Sequence, residues 1–262
     1  MSSPLSSRMA STFRSLQTRS NRQRHRLSVL VGIRAVEAAA QGGADLAHVA
    51  GTASALQSPR FQALGDALSD VPHYTADAET LDELAPTATS QGLLATVRLP
   101  DLDASGLWET AQTALLLDGI QDPGNVGTLV RTAAWFGVDA VVAGPGTAGL
   151  FHPAVLRAGM GGHWDVQLAR TDDLAAALSQ ARRAGFTGYG ADMGGTPARY
   201  WHPVQPSLLV VGSEAHGLSP ALLDQLDEPV SVGSAGPHPA TESLNAAVAA
   251  GIVMHRWTVA AP

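Results

Sequence analysis

The chain has 262 residues, a formal net charge of −7 and no cysteine. Its length allows one large or two modest domains with real cores, and the missing thiols exclude disulfides, thiolate metal sites and cysteine nucleophiles. The longest apolar runs are too short for a membrane span and no apolar h-region marks a secretion signal, so a cytoplasmic setting without membrane attachment is the expectation.

The net charge hides an asymmetry. Residues 1–36 carry seven arginines and no acid, a sum of +7, while the remainder sums to −14. All 16 basic residues are arginine, which suits phosphate forks and base stacking. A basic arm on an acidic body points to RNA contact; the alternative is a solvated, disordered tail. Residues 1–25, polar and rich in Ser and Arg, read as mobile at the start. A small α/β unit follows. Strands are predicted over Leu27–Val31, 46–50 and 92–97, and helices over 32–41, 59–68 and 78–84, with Pro59 at a favoured first-turn position. Residues 99–113, with Pro100, Asp101, Asp103, Ser105 and Gly106, read as a linker, which divides the chain into domains 1–105 and 106–262.

Beyond the linker, strands 114–117, 139–143, 166–169, 186–191, 208–211 and 230–232 alternate with helices 125–137, 153–160, 171–185, 218–226 and 243–257. Such alternation predicts an α/β fold, with a mostly parallel sheet covered on both faces. In 125–137, Val126, Leu129, Val130, Ala133 and Ala134 repeat at helical spacing and predict a buried stripe, with Arg131 off it. Asp172 and Asp173 are expected in the first turn of their helix, at the positive end of its dipole.

Three segments carry chemistry. Residues 114–137 join a strand, the turn Asp122-Pro123-Gly124-Asn125 and a helix that projects Arg131, which suits an anionic substrate group. Taken alone this is also an ordinary strand–turn–helix. In 208–220 an apolar strand delivers Gly212-Ser213-Glu214, with Gly217 before a helix. A glycine at a strand's carboxyl end lets a ligand approach the backbone, and Glu214 would stand at the crevice rim; by itself it is equally a solvated loop acid. In 230–257 a strand and a Gly/Pro-rich loop, 235–241, lead to Ser243-Leu244-Asn245 and a long helix. Ser243 alone reads as a helix cap and Asn245 as a partner for loop backbone. None of the nine histidines forms an HxxxH or HxH pair, so no metal site is expected.

In order, Asp122-Pro123-Gly124-Asn125-x-Gly127 with Arg131 and Thr132, Gly212-Ser213-Glu214 with Gly217-Leu218-Ser219, and Ser243-Leu244-Asn245 resemble the SpoU (TrmH-like) branch of the SPOUT RNA methyltransferases. The N-terminal unit more loosely resembles the L30e-like RNA-binding domain that many members carry. The resemblance implies a trefoil-knotted parallel-sheet domain beside a smaller L30e-like domain that binds the RNA substrate. It also implies a homodimer with the knot at its interface, S-adenosylmethionine as cofactor, and methyl transfer to a ribose 2′-hydroxyl, in 23S rRNA ahead of tRNA. The positions matching the cofactor contacts are Ala191, Gly212, Val232 and Leu244, largely through backbone groups. Arg131 matches the residue near the target phosphate and hydroxyl. A guanidinium stays protonated, so its expected role is to clamp phosphate and stabilise a developing alkoxide. Asn125, Glu214, Ser243 and Asn245 are expected to position Arg131 and close the site.

The chain departs from the family pattern in places. Leu30-Val31-Gly32 is one residue short of a Leu-Val-Glu-Gly turn, Val232-Gly233-Ser234 stands where Ile-Pro-Met is usual, and Arg157-Ala158-Gly159-Met160 lacks a Ser before Gly. The rival readings are a non-catalytic RNA-binding or assembly protein on the same fold, and an α/β enzyme for another nucleotide such as NAD. The absence of a GxGxxG loop followed about 20 residues on by an acid speaks against the second.

Overall fold

The computed structural model describes residues 2–86, 89–234, 236 and 243–259. The chain folds as two compact units, one of Met1–Pro100 with Phe151–Trp164 and one of Asp101–Leu150 with Asp165–Pro262.

Unit 1 corrects the expectation of a mobile arm. After a short strand β1 (Ser3–Pro4) come helices α1 (Ser7–Ser15) and α2 (Arg19–His25). Ser6 caps α1 by accepting from Met9 N at 3.3 Å. Phe13 and Leu16 are fully buried, and Arg22, itself buried, donates to the Leu16 and Gln17 carbonyls at 2.9 Å each. Those carbonyls end α1 and would otherwise lack partners. Two apolar anchors and one inward arginine thus hold a segment whose composition is that of a tail. Arg8, Arg14, Arg19 and Arg24 stay exposed.

The unit continues through β2 (Leu27–Val31), α3 (Ile33–Gln41), β3 (Leu46–Gly51), α4 (Ala53–Leu56), α5 (Pro59–Gln62), β4 (His73–Thr75), α6 (Ala78–Leu84) and β5 (Leu93–Arg98). The sheet order is β1-β4-β3-β5-β2, with β5 antiparallel to both its neighbours. The helix expected over 59–68 stops after one turn; Gly65 disfavours its continuation, and Leu64 and Leu68 are buried from turns instead. β4 escaped prediction because His73, Tyr74 and Thr75 are only half-buried.

Unit 2 runs α7 (Leu107–Thr110), β6 (Thr113–Asp118), α8 (Pro123–Trp135) and β7 (Ala140–Ala143). The chain then enters unit 1 as α9 (Pro153–Gly159), where the Ser28 hydroxyl donates to the Phe151 carbonyl at 2.6 Å. It returns as β8 (Gln167–Arg170), α10 (Leu174–Arg183), β9 (Thr187–Pro197), β10 (Ser207–Gly212), α11 (Pro220–Leu223), β11 (Glu228–Ser231) and α12 (Ala246–Val259). The six strands are ordered β11-β9-β10-β6-β7-β8 and every pairing is parallel. β6 and β10 are buried from end to end or nearly so, which is why both read as unbroken apolar runs.

Several boundaries differ from expectation. Asp173 is the N-cap of α10, accepting from Ala176 N at 2.9 Å, so the two acids precede the first turn. α12 is capped by Asn245, not Ser243, and β11 ends before Val232. From β6 the chain order runs outward through β7 and β8, then reverses to place β10 on the other side of β6. In open parallel sheets that switch point, at the carboxyl ends of the strands, is where ligands bind.

Candidate functional site

Asp118 and Gly212 end the two strands at the switch point and stand opposite each other in register. The Asp118 carboxylate accepts from Ser219 N at 2.8 Å and ties the loop after β10 to the end of β6. That loop folds back on itself: Gly217 N donates to Ser213 O at 2.8 Å, with Gly217 at φ 66°. A Cβ on Gly212 would lie 2.2 Å from the Gly217 carbonyl oxygen. The glycine at 212 is therefore required by the loop's own closure, a different reason from the ligand approach expected of it.

α8 begins where Asp122 accepts from Asn125 N at 2.8 Å, with Pro123 in the first turn. The cap leaves the Asn125 amide facing out. Its Nδ2 donates to Glu214 Oε1, and its Oδ1 accepts from Asn245 Nδ2 at 3.0 Å. The Asn245 Oδ1 in turn accepts from Ala247 N and Val248 N at 3.0 and 3.2 Å. One chain of hydrogen bonds thus joins the start of α8, the loop after β10 and the start of α12, across sequence separations of 89 and 120 residues.

The other expected site residues are placed less centrally. Ala191 follows Gly190, the last β9 residue paired with both β10 and Pro229 of β11; residues 191–195 leave the β11 ladder before pairing resumes at Thr196. Val232 follows β11 and is half-buried, and Leu244 is exposed. Gly212 and Val232 therefore lie at or just past the ends of β10 and β11, and Ala191 lies just past the last β9 residue paired with β10. Ser243 and Arg131 are exposed and make no hydrogen bond or ion pair with any described residue. Arg131 lies about two turns along α8 from Asn125, and no bond joins the two. Of the loop 235–241 only Gly236 is among the described residues. Among the described residues no three His, Asp or Glu side chains gather as metal ligands.

Sequence reasoning quoted Asp122 and Ser219 within its motifs but gave them no role, and it passed over Asp118 as a site-building residue. The available signal was two aspartates bracketing a turn at the end of a buried strand.

The known proteins that resemble this chain agree with the geometry. Residues 112–255 match the SpoU rRNA Methylase family, and residues 29–102 match the family described as RNA 2′-O ribose methyltransferase substrate binding. The 23S rRNA (guanosine(2553)-2′-O)-methyltransferase RlmP of Bacillus subtilis is 34% identical over 183 residues, 70% of this chain and 71% of its own. A candidate RNA methyltransferase of the TrmH family from Porphyromonas gingivalis superposes with a TM-score of 0.81 at 29% identity, covering 98% of this chain and 99% of that one. The SpoU methyltransferase AviRb of Streptomyces viridochromogenes, solved with AdoMet, shares the fold with a TM-score of 0.82 at 24% identity, covering 96% of each chain. With the methylase match spanning more than half its length, the chain belongs to the SpoU rRNA methylase family.

Proposed function

We propose that the chain transfers a methyl group from S-adenosylmethionine to a ribose 2′-hydroxyl of RNA, with 23S rRNA as the substrate. The observation that carries this is the Asn245–Asn125–Glu214 hydrogen-bond chain, which gathers three distant loops at the switch point of a parallel sheet.

The residues suit the cofactor. The β9–β10 ladder ends at Gly190 and Val210, so backbone groups at Ala191 and along that edge of Gly212 are outside it. Backbone groups need partners, and with the apolar side chains of Ala191, Val232 and Leu244 they match a neutral adenine better than a second anion. When bound, S-adenosylmethionine supplies an intrinsically reactive sulfonium methyl. What remains for the protein is alignment, worth roughly 7–11 kcal/mol in well-oriented reactions, and help for a weakly nucleophilic hydroxyl. Arg131, free of any described carboxylate, clamps the phosphate beside the target and donates to the developing alkoxide. It cannot take the proton, which passes to a substrate phosphate oxygen or to water. Asn125 fixes the Glu214 carboxylate and Asn245 fixes Asn125, with Ser243 two residues before Asn245 in the sequence.

In the same reading residues 1–105 select the RNA and 106–262 carry the chemistry, with Phe151–Trp164 folding alongside the former. Unit 2 carries the family's trefoil knot. The active form is a homodimer, supported by a row of exposed apolar residues, Leu244 just before α12 and Val248, Ile252 and Val259 on it.

The test is methyl transfer from labelled S-adenosylmethionine to transcribed 23S rRNA, with the modified ribose mapped. Arg131→Ala should lower turnover by about 10²–10³-fold, the scale of losing one oxyanion donor. Its cofactor affinity by calorimetry should remain that of the wild type. Turnover near wild type would remove Arg131 from the reaction. Wild-type protein that binds RNA but transfers no methyl group would favour the non-catalytic rival.

A further inference from the structure

We propose that unit 1 contains a separate RNA contact: a cavity that seats one unpaired nucleotide of the substrate RNA, with its phosphate between Arg34 and Arg157. This rests on the reading of RNA as the substrate.

The cavity has a volume of about 480 Å³ and lies where the β2–α3 turn, the loop before β5 and the end of α9 meet. Its volume is within the roughly 300–1,000 Å³ of small-ligand sites. Val31, Ile33 and Ala35 supply an apolar wall, and Met160 stands exposed beside it at the left-handed end of α9. Arg34, Arg157 and Gln91 supply the polar side.

The loop that carries Gln91 is held in place. Asp82 accepts from both Ser90 N and the Ser90 hydroxyl at 2.6 Å, and Ser90 in turn accepts from Gly92 N at 3.1 Å. Gln91 itself sits at φ 53°, a conformation that costs a non-glycine residue energy and marks functional positions. Its side chain lies over Gly32, where a Cβ would come within 2.3 Å of the Gln91 Oε1. Gly32, at φ 82°, is needed for the turn, and its bare Cα leaves room for the amide above it.

The charge pattern selects the ligand. No carboxylate lines the cavity, and neither Arg34 nor Arg157 is paired with any described residue. Elsewhere in the unit Arg14, Arg60 and Arg98 are paired with Glu83, Glu37 and Asp45. Two free guanidiniums match a phosphate, an apolar wall matches the face of a base, and an amide can read a base edge. RNA presents those three features together where a base is splayed out of its stack.

The experiment compares wild type with Arg34→Ala/Arg157→Ala in binding transcribed 23S rRNA over a range of salt. Both side chains are exposed, so the variant should keep the wild-type circular dichroism, melting temperature and cofactor affinity. Its RNA affinity should fall about tenfold or more near physiological salt, and the slope of log K against log salt should be shallower by about 0.7, one single-strand phosphate contact. Photocrosslinking of 4-thiouridine-substituted RNA should mark Gln91 or Met160. Unchanged affinity and slope, or crosslinks only outside this cavity, would overturn the proposal. Failure of the methyltransferase reading is a distinct result: no methyl transfer by the wild type, whatever its RNA affinity.

Discussion

Asn125 uses both ends of its amide, and Asn245 does the same. The second residue does two jobs, since its Oδ1 caps α12 and its Nδ2 reaches Asn125. Two substitutions separate them. Asn245→Ala removes both, and should cost about 1–2 kcal/mol of stability together with methyl transfer. Asn245→Asp keeps a good cap but cannot donate to Asn125 Oδ1. Thermal melting should show most of the stability recovered while the transfer rate stays low; a wild-type rate in Asn245→Asp would show that the amide contact does not matter to the site. The sequence marked Asn125, Glu214 and Asn245 through their order along the chain. It could not show that one amide bridges the other two, because that depends on loops that meet only when the sheet forms. Ser243 was the natural choice of cap by residue type, yet Asn245 lies closer to the first free amides of α12 and takes the role.

α12 is apolar on more than one side. Ala247, Ala250, Val253, Met254 and Trp257 are buried inward, with Trp257 Nε1 donating to the Ser207 hydroxyl at 2.9 Å. Outward, Val248 is 53% and Ile252 45% exposed, and Trp135 on the neighbouring α8 is 83% exposed. A helix apolar all round is normally covered on both sides. In the proposed homodimer that cover is a second copy of the chain, through a self-complementary face about a two-fold axis. Light scattering should therefore give twice the 27.0 kDa chain mass for the wild type, and the monomer mass for Ile252→Glu. A monomeric wild type would leave the face needing another explanation. At this scale most strands and helices of unit 2 were legible, because long runs with one period speak for themselves. α1 and α2 were not legible. Their burial rests on Phe13, Leu16 and an inward Arg22, three residues in a stretch otherwise polar.

Across the whole molecule, charge and titration both divide along the units. Unit 1 has ten arginines against eight acids, and unit 2 has six against fifteen, so the basic character of the first 36 residues belongs to a folded unit rather than a tail. Three histidines of unit 1 have their pKa pushed below the ordinary value: His48 by burial and then by Arg98, His73 chiefly by burial, and His152 by burial and then by Arg22. Each also serves the fold as a neutral ring or sits where charge is unwelcome. His152 Nδ1 accepts from Ala154 N at 3.2 Å and so caps α9, His48 Nδ1 meets the Thr96 hydroxyl at 2.8 Å, and His73 Nε2 is buried without a hydrogen-bond partner among the described residues. Above the unfolded value of about 6.5 these rings are neutral in both states and pH has no hold on them. Below it the unfolded chain takes up protons that the folded unit resists, so stability falls with pH until the depressed folded values are passed. Hydrogen exchange, corrected for its intrinsic pH dependence, should show protection in Leu27–Val31, Leu46–Gly51 and α9 falling between about pH 7 and 5. The sheet of unit 2 contains none of these three histidines and should hold its protection over that range. Because protonation of His152 removes the cap of the helix that carries Arg157, RNA affinity should weaken once pH drops below that ring's depressed folded value, even though phosphate attraction alone would strengthen as the protein gains positive charge. Affinity that rises steadily on acidification would show that α9 keeps its place without the neutral ring.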